Sequence, residues 1–401
     1  MSADSLERAF RGERGAVLAT ITRRLDGDLA LAEDVVQDAF VAAAVEWDRR
    51  GVPDRPGAWL TTTAWRKALD RLRHQRVVDA HAAAAGETVT WDEIDWEQSS
   101  LEDDQLRMLF ACCHPALSPE ARMALTLRSV AGLTVPEIAR AFISTEPAME
   151  RRLTRARNKV SQGRIPFRVP SDDLLPERLA GVLRVVYLIF NEGHAATRGD
   201  LRAEGVRLAR LLARLMPDTA EALGLLALLL LTDARTPARL RGDELVALAE
   251  QDRALWDGAL IAEGVAVLER ALRLPHPGAY TIQAAIAALH DQAPSFAATD
   301  WSQIAGLYGE LARIDASPVV TINRAVAVGF ADGPAAGLEL LDAVEGLERY
   351  VSLHAARAEL LGRLGDAAGA DAAYARAIAL SAHEHERAAL IRRRTGRSPT
   401  R

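Results

Sequence analysis

Hydrophobic positions recur at helical spacing along almost the whole chain. Leu31, Val35, Ala39 and Phe40 make one apolar stripe, and Glu33, Asp34, Gln37 and Asp38 fill the opposite face. The turn-rich run Gly51-Val52-Pro53-Asp54-Arg55-Pro56-Gly57 ends that helix, and a second is predicted over about residues 58–75. Residues 77–106 read as a linker. Ser118-Pro119-Glu120 then opens a helix with an N-cap and a proline at its first position, carrying Met123, Leu127 and Val130 and stopping near Gly132. Thr134-Val135-Pro136-Glu137 is a capping box for a short helix holding Ile138, Ala139 and Phe142. After a turn at Ile143-Ser144, with Thr145 as N-cap, Met149, Leu153, Ala156 and Val160 form one buried stripe. Two short helices joined by a tight turn, the second basic, make a helix-turn-helix.

Pro166 and Pro170 mark the next boundary, and beyond it the pattern repeats. Asp332, Ala336, Leu340 and Ala343 recur 34 residues later as Asp366, Ala370, Tyr374 and Ala377. That is the period of tetratricopeptide units, in which small residues let paired helices approach closely. Leu364-Gly365-Asp366 matches the junction inside such a unit, a weaker copy runs from Asp300 to Tyr308, and Met216-Pro217-Asp218 before Ala220 looks like another junction. The expectation is an all-α protein: a helical bundle over 5–76, an acidic linker over 77–106, a helix-turn-helix domain over 107–165, and an α-solenoid, tetratricopeptide-like domain over 170–401.

Composition supports this and charge refines it. Of 401 residues, 49% are hydrophobic and only 5% aromatic, which favours packed helices over sheets. The formal net charge of −6 argues against nucleic-acid binding along the whole chain, but the charge is uneven. Arg66, Lys67, Arg71, Arg73 and Arg76 form one basic strip, and Arg151, Arg152, Arg155, Arg157 and Lys159 a second. Between them, residues 77–106 carry nine acidic side chains and no Lys or Arg. The longest apolar stretch, nine residues from Leu223 to Leu231, is about half a membrane span. With no apolar leader near the N-terminus and only two adjacent cysteines, a cytoplasmic protein is expected.

The block Leu31-Ala32-Glu33-Asp34-Val35-Val36-Gln37-Asp38-Ala39-Phe40, with Trp59-Leu60 and Ala68-Leu69-Asp70-Arg71-Leu72-Arg73, resembles region two of the extracytoplasmic-function sigma factors of RNA polymerase. Leu133-Thr134-Val135-Pro136-Glu137-Ile138-Ala139, with Arg152-Leu153-Thr154-Arg155-Ala156-Arg157, resembles their region four. Tyr187-Leu188-Ile189-Phe190-Asn191-Glu192-Gly193 and the repeats after it look like the subgroup with a tetratricopeptide-like C-terminal extension. The resemblance implies docking of Glu33, Asp34, Gln37 and Asp38 on the clamp helices of the largest polymerase subunit, with the flap of the second-largest subunit as a further contact. It implies contact with the −10 promoter element through Trp65, Arg66, Lys67, Arg71, Arg73 and Arg76. Trp65-Arg66 stands where the family commonly has Arg-Asn. For Trp59 a core place is expected rather than stacking on a base.

In region four, the residues facing away from the buried stripe are Glu146, Ala148, Glu150, Arg151, Thr154 and Arg155; Arg151 and Arg155 are the expected −35 contacts, and Arg152 is expected on phosphate. Arg157 and Lys159 suit the C-terminal end of a helix dipole equally well. Ile143 replaces the glycine often found in the turn. By resemblance the linker threads the RNA exit path with Trp91 and Trp96 packed on polymerase, the extension regulates, and a small YCII-like, DGPF-type protein is a candidate partner of it. No cofactor, metal site, membrane or enzyme activity is expected. Cys112-Cys113-His114 suits burial better than metal binding, Asn191-Glu192-Gly193-His194 a helix end, and His383-Glu384-His385-Glu386 a surface helix, since it lacks the i, i+4 histidine spacing. A core-independent helix-turn-helix transcription factor and a tetratricopeptide scaffold remain as alternatives.

Overall fold

The computed structural model describes residues 3–80, 98–142, 144–195, 199–241, 244–381 and 384–396. The all-α expectation holds: among these residues the only strands are the two-residue pieces Leu240–Arg241 and Glu244–Leu245, paired antiparallel. The chain divides into two compact units, Met1–Leu215 and Met216–Arg401.

The first unit begins with α1 (Ala3–Arg24), α2 (Leu29–Arg50) and α3 (Pro56–Ala80), packed on one another. Gly27, at φ +87, turns the chain, and the Asp28 carboxylate accepts from Leu31 N at 3.1 Å to start α2; Gly51, at φ +82, ends it. The apolar stripes of these helices meet in a core containing Leu18, Ile21, Val36, Trp47, Leu60 and Ala64. Next come α4 (Gln98–Cys112), α5 (Pro119–Ser129), α6 (Val135–Ala141) and α7 (Glu146–Lys159), the last running into a π-turn over Val160–Arg164. Ser118 caps α5, and Thr134 with Glu137 closes the capping box of α6, as the residues led one to expect. Thr145 holds the N-cap place of α7 without a side-chain capping bond.

Helix extends into both ends of the expected 77–106 linker, since α3 continues to Ala80 and α4 begins at Gln98; residues 81–97, with Trp91 and Trp96, lie outside the described residues. Its acidic end is drawn into a helix by counter-charges, since the fully buried Asp104 pairs with Arg23 at 2.7 Å and Arg107 at 2.6 Å. The division into compact units falls after Leu215, beyond the expected start of the extension at 170. α8 (Leu175–Ala195) and α9 (Gly199–Leu215) pack together and against α4 and α5 inside the first unit. Gly205 makes this possible, since a Cβ there would lie 2.7 Å from that of Phe190. Arg178 donates to the Phe110 carbonyl at 2.7 Å, and Arg207 to that of Val130 at 3.3 Å.

The second unit is built on α10 (Ala220–Ala234), which is buried almost all round, with α11 (Gly258–Leu272) and α12 (Ala279–Gln292) packed on it. From there α13 (Trp301–Ile314), α14 (Pro318–Ala331), α15 (Pro334–Asp342), α16 (Val351–Leu364), α17 (Ala367–Leu380) and α18 (Glu384–Thr395) each pack on the next. α14 also touches α16, and α18 returns to the strand Glu244–Leu245, where Arg392 donates to the Leu245 carbonyl at 3.0 Å. The register differs from the expected 34 residues. Val320, Ala325 and Ala327 are matched 33 residues on by Leu353, Ala358 and Leu360, and Gly337 and Leu341 by Ala370 and Tyr374, all buried. Asp366 caps α17, but α15 is capped by Gly333, at φ +108, while Asp332 ends α14. Asp332 and Asp366 thus stand one residue out of register in the two copies, and Ala336, Leu340 and Ala343 occupy places that are half-buried or exposed.

Candidate nucleic-acid interface

α7 sorts its residues as its period requires. Met149, Leu153, Ala156 and Val160 are buried, while Glu146, Glu150, Arg151, Thr154 and Arg155 are exposed and Ala148 and Arg152 half-buried. Arg155 Nε donates to the Arg151 carbonyl at 3.3 Å, so the two guanidinium groups stand on one side of the helix. The turn before α7 is closed by Ser144 N donating to the Ala139 carbonyl at 2.9 Å; Ile143 itself lies outside the described residues. Arg157 leaves this surface. Its guanidinium is paired with Glu33 of α2, so its principal partner is a carboxylate of another helix rather than the end of its own.

On α3, Leu60, Ala64 and Ala68 face the core and leave Arg66, Arg71 and Arg73 exposed and Lys67 half-buried. Arg71 is held by Asp34 at 3.2 Å and Asp38 at 2.7 Å, and Arg73 lies 3.7 Å from Asp70. The Arg24 guanidinium sits 5.4 Å from the centre of the half-buried Trp65 ring. Trp59 meets Trp47 edge to face at 5.5 Å, an internal aromatic pair of the bundle. The side chain of Arg76 lies outside the described residues. An open groove lined by Leu31, Asp70, Arg71, Leu72 and His74 runs beside the basic strip.

The acidic face of α2 is narrower than expected. Asp34 and Gln37 are exposed and Asp38 is half-buried, but Glu33 is 4% exposed. It accepts from Ser129 Oγ at 3.4 Å as well as from Arg157. Sequence reasoning also missed Val41 and Val45, which continue the exposed side of α2 at 62% and 55% exposure. Their signal was available: both fall out of phase with Leu31, Val35 and Ala39.

Cys112 and Cys113 are buried, and burial pushes both thiols up, Cys113 to about 11. His114 Nδ1 accepts from Ala116 N at 3.1 Å, and burial lowers its pKa. His194 stacks on Phe190, 5.6 Å between ring centres, at the end of α8. His383 lies outside the described residues, as do the side chains of Glu384 and His385, while Glu386 accepts from the Ser381 hydroxyl at 2.7 Å. Among the described residues no group of three or more His, Cys, Asp or Glu could hold a metal ion, and no helix is long and apolar enough to cross a membrane.

The first unit thus joins a helical bundle, with a basic strip on α3, to a helix-turn-helix whose second helix exposes a basic face. Family models match the same segments: sigma-70 region 2 over residues 13–77 and sigma-70 region 4 over 107–160. A family of unknown function (DUF6596) matches 178–272, crossing the division at 215/216. An uncharacterized protein of Rhizobium meliloti is 43% identical over 382 residues, 91% of this chain and 89% of that one. The ECF RNA polymerase sigma factor SigL of Mycobacterium tuberculosis is 32% identical over 154 residues, 37% of this chain and 83% of its own. The RNA polymerase sigma factor CarQ of Myxococcus xanthus is 36% identical over 135 residues, 34% and 75% respectively. The chain belongs to the extracytoplasmic-function sigma factors of the sigma-70 family, a family of non-enzymatic transcription initiation factors, and carries a long helical C-terminal extension.

Proposed function

We propose that this sigma factor binds core RNA polymerase through α2, reads the −35 element with α7 and the −10 element with α3, and is regulated through its extension. The observation that carries the reading is the exposed face of α7. Arg151 and Arg155 stand opposite a buried stripe that fixes the helix, which is the presentation a recognition helix needs in the major groove. Glu146, Ala148, Glu150 and Thr154 share that side, with Arg152 at its edge for a phosphate. On α3 the proposed −10 contacts are Trp65, Arg66, Lys67, Arg71, Arg73 and Arg76. Docking on polymerase falls to Asp34, Gln37 and Asp38, continued by Val41 and Val45, whose exposure on a folded helix suits a partner surface. Glu33 joins that face only when released from Arg157. The tetratricopeptide-like array and a small YCII-like partner for it belong to the same proposal, as does a cytoplasmic location.

Run-off transcription with purified core polymerase on fragments of the source genome tests the reading. The expected result is initiation that needs both core and this chain. Arg151→Ala and Arg155→Ala should each weaken a specific promoter by about 1–3 kcal/mol and relax one base position, whereas Arg152→Ala should lower the salt slope by about 1 with no change in sequence preference. DNA binding without core-dependent initiation would favour a core-independent transcription factor, and unchanged behaviour of all three variants a scaffold.

A further inference from the structure

Arg71 stands where the two proposed surfaces of region two meet. It belongs to the basic strip of α3, but its guanidinium is turned to α2, donating from Nη1 to Asp34 at 3.2 Å and from Nη2 to Asp38 at 2.7 Å. Asp34 and Asp38 lie one turn apart on the same helix, so a single planar fork bridges both. Arg73, its neighbour on the strip, meets a carboxylate of its own helix instead, Asp70 at 3.7 Å. The two aspartates proposed to dock on polymerase are thus held by an arginine proposed to contact DNA.

The bridge is built to open. Arg71, Asp34 and Asp38 are 41%, 64% and 42% exposed, so water and salt reach all three side chains. Exposed pairs are weak, and parting them strands no charge in an apolar interior. Arg71 also lines the open groove with Asp70 and His74, while Leu60, Ala64 and Ala68 carry the packing of α3 on its other side. The guanidinium can therefore swing without disturbing the core. While the bridge is closed, one cation between two carboxylates leaves a net negative charge, which repels a phosphate. Turned away from α2, Arg71 offers a full positive charge to the DNA backbone.

We propose that Arg71 couples the two surfaces: Asp34 and Asp38 hold it from DNA in the free chain, and a cationic surface of polymerase that takes them releases it to the −10 element. The proposal rests on the sigma-factor reading and deepens it. The coupling follows from one shared cost. Polymerase alone must part Arg71 from the aspartates, and so must DNA alone, but when both bind the bridge is broken only once. Each ligand therefore tightens the binding of the other by the strength of the bridge, about three- to tenfold for two exposed pairs.

The test uses the full-length chain and a dye-labelled DNA duplex of random sequence at low salt. Its affinity should rise about three- to tenfold in the double variant Asp34→Asn with Asp38→Asn, and the salt slope should steepen by about 0.9. Removing two negative charges also favours DNA at long range. The same two substitutions are therefore made in an Arg71→Met background, where only that general gain remains. A saturating fragment of the polymerase clamp helices, with the fragment alone as blank, should reproduce the larger rise in the parent and only the general gain in Arg71→Met. Far-ultraviolet circular dichroism checks that each variant keeps its helices. Equal gains in both backgrounds overturn the hold on Arg71. A fragment that binds and leaves DNA affinity unchanged overturns the release. A gain specific to the parent background, with a clamp fragment that does not bind, sustains the hold and overturns the docking of α2 on polymerase instead.

Discussion

Cys112 and Cys113 close α4 with both thiols inside the packing. Burial outweighs the hydrogen bond that Cys113 shares with Thr126, 3.5 Å away, and pushes its thiol to about 11. At pH 8 the thiolate fraction is then on the order of one in a thousand, and the thiolate is the reactive form. Native protein mixed with a disulfide reagent should release no thiolate over minutes, and denatured protein should release two equivalents per chain. A fast equivalent in the native state would place one thiol at the surface. Burial of this pair was legible because adjacent cysteines without partners suit no common metal site. Glu33 was not legible. It shares a polar face with Asp34, Gln37 and Asp38, and what separates it from them is an arginine 124 residues away. Periodicity tells which side of a helix is polar, but not which member of that side another helix will cover.

Helix starts show the same division between local and distant signals. Ser118 and the Thr134–Glu137 box lie within three residues of the groups they cap, so the sequence displays them. The start of α12 depends on Glu221 of α10, whose carboxylate accepts from Gly278 N, Tyr280 N and Thr281 N at 3.0 Å and from the Thr281 hydroxyl at 2.8 Å. Gly278 at the N-cap has no side chain to do this, and a Cβ there would lie 2.7 Å from the Glu221 carboxyl carbon. The carboxylate also sits at the positive end of the helix dipole. Glu221→Ala strands these donors in a largely buried place and should cost about 3 kcal/mol. The urea transition of the second unit, followed by the fluorescence of Trp256 and Trp301, should move to lower denaturant by that amount. The exposed Asp218→Ala serves as control. Equal midpoints for both variants would mean that α12 needs no cap from α10.

At the scale of the whole chain, Pro166 and Pro170 mark the end of a helix but not the end of a folding unit. Proline forbids the continuation of a helix; it says nothing about whether the next helix packs back on the last. Here it does. α8 and α9 bury Val182, Val186, Ile189, Phe190, Leu208 and Leu212, and their Arg178 and Arg207 reach carbonyls on α4 and α5. A fragment of residues 1–215 should therefore melt cooperatively, with every helix of the first unit in place. A fragment of residues 1–169 loses the cover over α4 and α5 and the two charge-assisted hydrogen bonds. Those bonds are worth about 1.5–3 kcal/mol each at most, and partial compensation by water leaves a net loss of ~3 kcal/mol. For a domain of this size that lowers Tm by roughly 10 °C. Scanning calorimetry on the two fragments decides the matter. Equal melting temperatures would return α8 and α9 to the second unit. A lower one for the shorter piece would mean that region four has become inseparable from the extension that follows it.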